Sequence, residues 1–375
     1  VSGGVYSAMT AVFALVVLPP ARYGAFSILY LLFAFGISVQ YSVVNEAWAR
    51  MRLKAPWPAF SGALLALSVV FGCAVVVAAV SLPTLAGHWW IFALAVICAL
   101  YRNGARYFSV AQGELRRALF SDVAGIVAFA LSAVVSVGAG FDSLQMVAIT
   151  WLASAAASCV LLRLPRLGRG GGPLSWVVSH GSQIKPLLID SLLMDLGAIG
   201  TPFLLAGFLG TARFGVYRAV SNVALPIRLL IDPIRPALGR TPPRMLFNPR
   251  SLAAVAAATI VLAAGCFIAL AWLVPLIGIR LGTLTSLEPF ALQSGIFVAG
   301  SLVGTLYYIV CRTNASRSQI VSGRVVQTVL VVLMPILGFL VLGLNGAIWG
   351  FALSSLISGL VWMWLAFRAG SARRD

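Results

Sequence analysis

Apolar runs of about 20 residues follow one another along almost the whole of this chain, and that repetition leaves it few ways to fold. Each run is long enough to cross ~30 Å of hydrocarbon as a helix. Inside hydrocarbon every backbone N–H and C=O needs a partner within the protein, which leaves helices or a closed barrel. The alternation of apolar and polar residues that barrel strands require is missing. The chain therefore reads as an all-α polytopic membrane protein of about twelve transmembrane helices. The first six spans fall at residues 3–18, 25–47, 58–80, 89–101, 119–138 and 144–162. The second six fall at residues 186–209, 214–238, 252–277, 289–311, 325–342 and 347–367.

Charge then orients the spans. Only 9% of the residues are charged, against about 25% in an ordinary soluble domain. A net charge of +17 would point to nucleic acid in a soluble protein, but here the arginines collect in one set of connections. Arg50, Arg52 and Lys54 follow the second span, and Arg102, Arg106, Arg116 and Arg117 follow the fourth. Arg163, Arg166, Arg169 and Lys185 follow the sixth, and the pattern continues after spans eight, ten and twelve. The opposite set carries only Arg22, Arg213 and Arg280. By the positive-inside rule both termini are expected in the cytoplasm, and nucleic acid is not expected as a partner. No basic n-region or cleavage site precedes the first span, so no cleavable signal is expected there.

An internal echo divides the chain. Ala21-Arg22-Tyr23-Gly24-Ala25-Phe26 returns 191 residues later as Ala212-Arg213-Phe214-Gly215-Val216-Tyr217. Arg102-Asn103-Gly104-Ala105-Arg106 has a looser counterpart in Arg312-Thr313-Asn314-Ala315-Ser316-Arg317. Between the halves, Gly168-Arg169-Gly170-Gly171-Gly172-Pro173 cannot continue a helix. The expected organisation is a six-helix bundle at 1–162, a cytoplasmic linker at 163–185 and a second six-helix bundle at 186–375, the two bundles being parallel repeats. A turn around Trp176 is expected to rest on the membrane surface.

The stretch from Pro186 to Arg240 breaks the apolar rule. It carries Asp190, Asp195, Arg218, Arg228, Asp232 and Arg235 where a span ordinarily carries none. An ionised side chain at mid-bilayer costs at least ~2.5–3.5 kcal/mol, so such residues face a wet cavity or a partner. Arg228, Asp232 and Arg235 share one helical face, and Pro226, Pro233 and Pro236 break that helix. The functional reading is a cationic wall, and the planar guanidinium fork suits phosphate. The blander reading pairs Arg228 with Asp232 and Arg218 with Asp195, and lets Arg235 snorkel to the surface. Gln40, Tyr41, Asn45 and Glu46 are the polar counterparts in the first half. Asp122 reads as an acid at a helix N-terminus. Trp89, Trp90, Trp151, Trp272, Trp362 and Trp364 read as an interfacial belt.

Catalytic groupings are missing. The external connections are short, and their acids, Asp142 and Glu288, stand far apart in sequence. There is no phosphate-binding loop for a nucleotide. Five cysteines without a CxxC pair, together with His88 and His180 in loops, give no metal site. The chain is thus read as a non-enzyme with no cofactor.

Two six-helix halves, each with a short Arg-aromatic-Gly-x-aromatic turn entering its second helix, resemble a known family. The pattern, carried by Arg22-Tyr23-Gly24-Ala25-Phe26-Ser27 and Arg213-Phe214-Gly215-Val216-Tyr217, is similar to the polysaccharide and lipid-linked oligosaccharide flippases. These belong to the multidrug/oligosaccharidyl-lipid/polysaccharide exporter (MOP) superfamily, which includes the MATE transporters. The resemblance implies two bundles and alternating access around a central cavity, in a bacterial inner membrane. It implies a cargo of polyprenyl-diphosphate-linked saccharide for the cell envelope, moved from the inner to the outer leaflet. The residues matching cationic cavity positions are Arg218 and Arg228 with Asn222 between them; Asp190, Asp195, Gln40 and Asn45 complete the candidate set. Two other readings stand beside it. The acids Asp190 and Asp195 would suit an H+- or Na+-coupled multidrug exporter, and a scaffold for a cell-wall glycosyltransferase would transport nothing. Membrane lipids are expected partners in every case.

Overall fold

The computed structural model describes residues 2–50, 56–166, 173–227, 231, 238, 243–277 and 281–371. Among them the chain is mostly helical, with no strand. The helices are α1 (Ser2–Val17), α2 (Pro20–Ala49), α3 (Trp57–Ser81), α4 (Trp89–Ala111), α5 (Leu115–Gly138) and α6 (Ser143–Leu161). Helix α7 runs over Pro173–Asp195 and continues through a π-helical turn at Leu196–Gly200. The following run, Thr201–Asn222, turns at Gly210, whose φ of 69° suits a residue without a Cβ. We call the part after that turn α8. Helix α9 is Pro249–Leu276 and α10 is Ala291–Asn314. The long run Arg317–Ser371 reverses at Leu342 and Gly343 into α11 and α12. Among the described residues, these twelve long helical segments match the apolar runs of the sequence.

Sequence sets the helix ends. Asp142 caps α6 by accepting from the Leu144 N–H at 3.2 Å, while Gln145 accepts from the Asp142 N–H. Asn248 caps α9 in the same way, and Pro249 takes the first position, where no N–H is needed. The outer surface is strongly apolar. Val134, Leu276 and Val341 are 72%, 81% and 78% exposed, which only a lipid solvent tolerates on this scale.

The helices form two compact units. One joins Ser2–Leu18 to Ala25–Phe203, so α7 as far as Phe203 groups with the N-terminal helices. The other joins Pro19–Gly24 to the chain from Leu204 onward. The N-terminal unit is centred on aromatic packing in which Trp48 stacks on Phe108 with ring centroids 4.5 Å apart, beside Trp57, Phe60 and Trp176. Trp176 is buried and donates to the Val43 carbonyl at 2.9 Å, so it is a core residue and not a surface turn. Trp151 and Trp362 are likewise core residues, whereas Trp89, Trp90, Trp272 and Trp364 remain exposed as a belt would require.

The echoed motifs play matching parts. In the N-terminal unit Phe26 packs edge-on against Trp151 of α6 at 5.8 Å. In the C-terminal unit Tyr217, which stands at the equivalent position, packs against Phe351 of α12 at 5.3 Å.

Candidate functional site

Two polar constructions stand out, one in each unit. In the N-terminal unit α2 loosens into a π-helical turn at Tyr41–Asn45, and α7 does the same at Leu196–Gly200. Such turns are uncommon and concentrate at functional sites, because the extra residue per turn redirects side chains. Between them runs a polar seam. Ser38 and Ser42 stand one turn apart on α2, and Ser191 and Asp195 stand one turn apart on α7. Ser38 stands beside the Asp195 carboxylate. Ser42 and Ser191 hydrogen-bond each other through their hydroxyls. Ser42 also donates to the Ser38 carbonyl at 3.1 Å, which leaves Ser191 as the donor of the serine pair.

The seam keeps unused polar capacity. The second carboxylate oxygen of Asp195 is buried without a partner among the described residues. Asn45, on the π turn of α2, is fully buried, and neither heteroatom of its amide has a partner there. A buried amide left unsatisfied costs about 1–3 kcal/mol, so it calls for a polar guest. Gln40 differs. Its Nε2 donates to the Leu100 carbonyl at 2.9 Å, and its Oε1 accepts from Asn103 at 3.3 Å. Gln40 therefore brackets α2 to α4 and has little capacity left for a ligand.

In the C-terminal unit Arg218 and Asn222 stand one turn apart on α8. Asn222 donates to the Tyr23 hydroxyl at 2.6 Å, and Tyr23 is buried. Arg218 is half-buried with its Nε withdrawn from solvent. Beside them Gly24 and Gly215 meet at a crossing so close that a Cβ on Gly215 would fall 2.1 Å from the Pro20 carbonyl oxygen. The echoed motif is thus a contact that fixes the start of α8 and the residues one and two turns along it.

Sequence placed seven residues in the site. Asp195 and Asn45 fall on the α2–α7 seam, Gln40 serves the scaffold, and Arg218 and Asn222 lie together on α8. Arg228 lies outside the described residues, as do Asp232 and Arg235. Of Asp190, only the backbone position on α7 is described.

No protein-family model matches the sequence, and no curated protein sequence does. Solved structures do. An inward-facing multidrug-resistance MATE family transporter of the MOP superfamily superposes with a TM-score of 0.63 at 10% identity, covering 100% of this chain and 96% of that one. The lipid II flippase MurJ in an inward closed conformation gives 0.58 at 11% identity, with 98% and 90% covered. A eukaryotic MATE transporter gives 0.55 at 13% identity, with 99% and 97% covered. The chain has the MOP-superfamily fold. At these identities the likeness is one of backbone path.

One charged group of this MOP-fold chain is hidden from sequence reading. Asp122 is 1% exposed and binds both Arg102 and Arg106, the latter with Nε 2.9 Å from a carboxylate oxygen. The apolar run of α4 stops at Tyr101, which places both arginines in a connection. The helix in fact continues to Ala111 and carries them inside. The available signal was their spacing of one helical turn, with a single acid following on the next helix. Asp122 is a buried counter-ion here, and not a helix-terminal acid.

Proposed function

We propose that the protein is a flippase that moves a polyprenyl-diphosphate-linked saccharide from the inner to the outer leaflet of a bacterial inner membrane by alternating access. The observation that carries this reading is Arg218, a half-buried cation inside the apolar helix α8, one turn from an asparagine that Tyr23 holds in place. A guanidinium offers paired donors to phosphate oxygens, and an oriented amide adds another. Arg228, further along the same segment, is proposed to extend the cationic wall. The MOP fold supports the reading, since both its transporters and the lipid II flippase share the backbone path. We place both termini in the cytoplasm, because the arginine-rich connections collect on one side. The chain makes and breaks no bonds in this scheme, and a cell-envelope glycosyltransferase is the proposed source of its cargo.

Binding tests the reading directly. Purified protein in detergent is expected to bind a polyprenyl diphosphate saccharide at least about tenfold more tightly than Arg218→Ala does, one charged hydrogen-bonded contact contributing ~1.5–3 kcal/mol. Equal affinity in the two proteins refutes the role of Arg218.

A second reading, cation-coupled export of small molecules, draws on Asp195, whose free carboxylate oxygen faces buried surroundings. Under it, Asp195→Asn abolishes proton-driven efflux of a cationic dye from vesicles. Efflux that is absent from the parent protein removes that reading.

A further inference from the structure

At one end of the N-terminal unit the connection after α6 closes a cavity of about 380 Å³ with the starts of α3 and α5. Helix α3 begins at Trp57 and α6 ends at Leu161, so this cavity sits at the height where the apolar spans stop. In a bilayer that is the headgroup layer. Three arginines line it, Arg117, Arg163 and Arg166.

The cradle is built, not incidental. Its extended wall, residues 162–166, is pinned at Leu162, Arg163, Leu164 and Arg166. Arg117 donates to the Leu161 and Leu162 carbonyls at 3.2 and 2.9 Å. Tyr101 donates to the Arg163 carbonyl at 2.7 Å, and Trp57 to the Leu164 carbonyl at 3.0 Å. Ser61 donates to the Arg166 carbonyl at 3.1 Å and accepts from its N–H at 3.2 Å. The Arg163 guanidinium binds Glu114 and lies over the Trp57 and Phe108 rings, at 5.8 and 5.4 Å from their centroids. Arg117 also lies near Glu114, at 3.6 Å. Arg166 is exposed, and its guanidinium makes no ion pair among the described residues. Three guanidiniums against one carboxylate leave a formal excess of two positive charges.

We infer that this cradle binds the headgroup of an anionic phospholipid. The charge excess selects a phosphate-bearing group without a compensating cation. The rim selects a lipid over free phosphate, because Val160, Leu161 and Leu164 stand exposed beside the arginines and provide a track for acyl chains. The site shares no residue with the pair Arg218 and Asn222, and its reading does not depend on the cargo.

Native mass spectrometry of the full chain tests this, with phosphatidylglycerol and phosphatidylcholine as probes. Phosphatidylglycerol is expected to be retained in preference to phosphatidylcholine. Arg166→Gln, which removes a guanidinium that makes no ion pair among the described residues, is expected to weaken that retention about fivefold, and Arg117→Gln with Arg166→Gln about thirtyfold. Arg244→Gln, which belongs to the other unit and is not part of the cradle, is expected to leave retention unchanged. Parent-like retention in Arg166→Gln overturns the proposal. So does displacement of the lipid by millimolar inorganic phosphate, which identifies a site for the free anion instead.

Discussion

Gly24 and Gly215, the glycines of the two echoed motifs, lie against each other at the start of α2 and of α8. A Cβ built on Gly24 would fall 1.8 Å from the Thr211 carbonyl oxygen and 3.0 Å from the Gly215 nitrogen. No side chain can be accommodated without parting the two segments, since neither obstacle is the end of a flexible side chain. The motif is therefore a packing device first, and its aromatic residues and Asn222 are positioned by it.

Gly215→Ala is expected to lower stability by about 1–3 kcal/mol or to block folding outright, the usual cost of overpacking. Thermal unfolding of the purified protein in detergent checks this. Gly207→Ala, where an added Cβ meets nothing within 4 Å, serves as the tolerated control.

Asp122→Asn is expected to destabilise the N-terminal unit by about 3–5 kcal/mol, because buried Arg102 and half-buried Arg106 lose their shared counter-ion. Replacing Arg102 by Met in the same chain should recover part of the loss, which a simple steric effect would not do. The measurement is the unfolding midpoint of the single and double variants.

Glu114 supplies a pH dependence of known sign. Its hydrogen bond to Arg163, opposed by partial burial and aided by the charges of Arg163 and Arg117, holds its carboxyl below the usual 4.5. The folded form is thus favoured at pH above that value, and the advantage is lost as pH falls through the lowered one. A midpoint-against-pH curve should fall more steeply below pH 4.5 for the parent than for Glu114→Gln. The difference is expected to be small, because Glu114 is 30% exposed.

Asn45→Leu separates stability from function. Replacing an unsatisfied buried amide with an apolar group of similar shape is expected to raise the unfolding midpoint slightly. Transport should fall if the amide receives a polar guest during the cycle. A variant that is less stable and still fully active contradicts this account of Asn45.

Much of this architecture is legible in the residues. Apolar runs must become helices in hydrocarbon, and the turn at Gly210 lies between two such runs. The echo of Arg22-Tyr23-Gly24 in Arg213-Phe214-Gly215 is visible in the sequence, but not that its two copies touch. Contacts between positions 191 residues apart leave no local trace. The same limit hid Asp122, whose partners sit on the preceding helix beyond the end of its apolar stretch. It also hid the role of Gln40, which looks like a ligand in sequence and is satisfied by Leu100 and Asn103 in three dimensions. The π turns are invisible because nothing in Tyr41-Ser42-Val43-Val44-Asn45 departs from ordinary helix chemistry.

The account centres on Arg218 as a cation kept inside α8 to engage phosphate. Leaflet translocation of a fluorescent polyprenyl-diphosphate saccharide by the protein in vesicles tests it most directly. The account predicts rapid translocation by the parent and a loss of at least about tenfold in Arg218→Ala, at equal amounts of folded protein. Translocation by Arg218→Ala at the parent rate would contradict it.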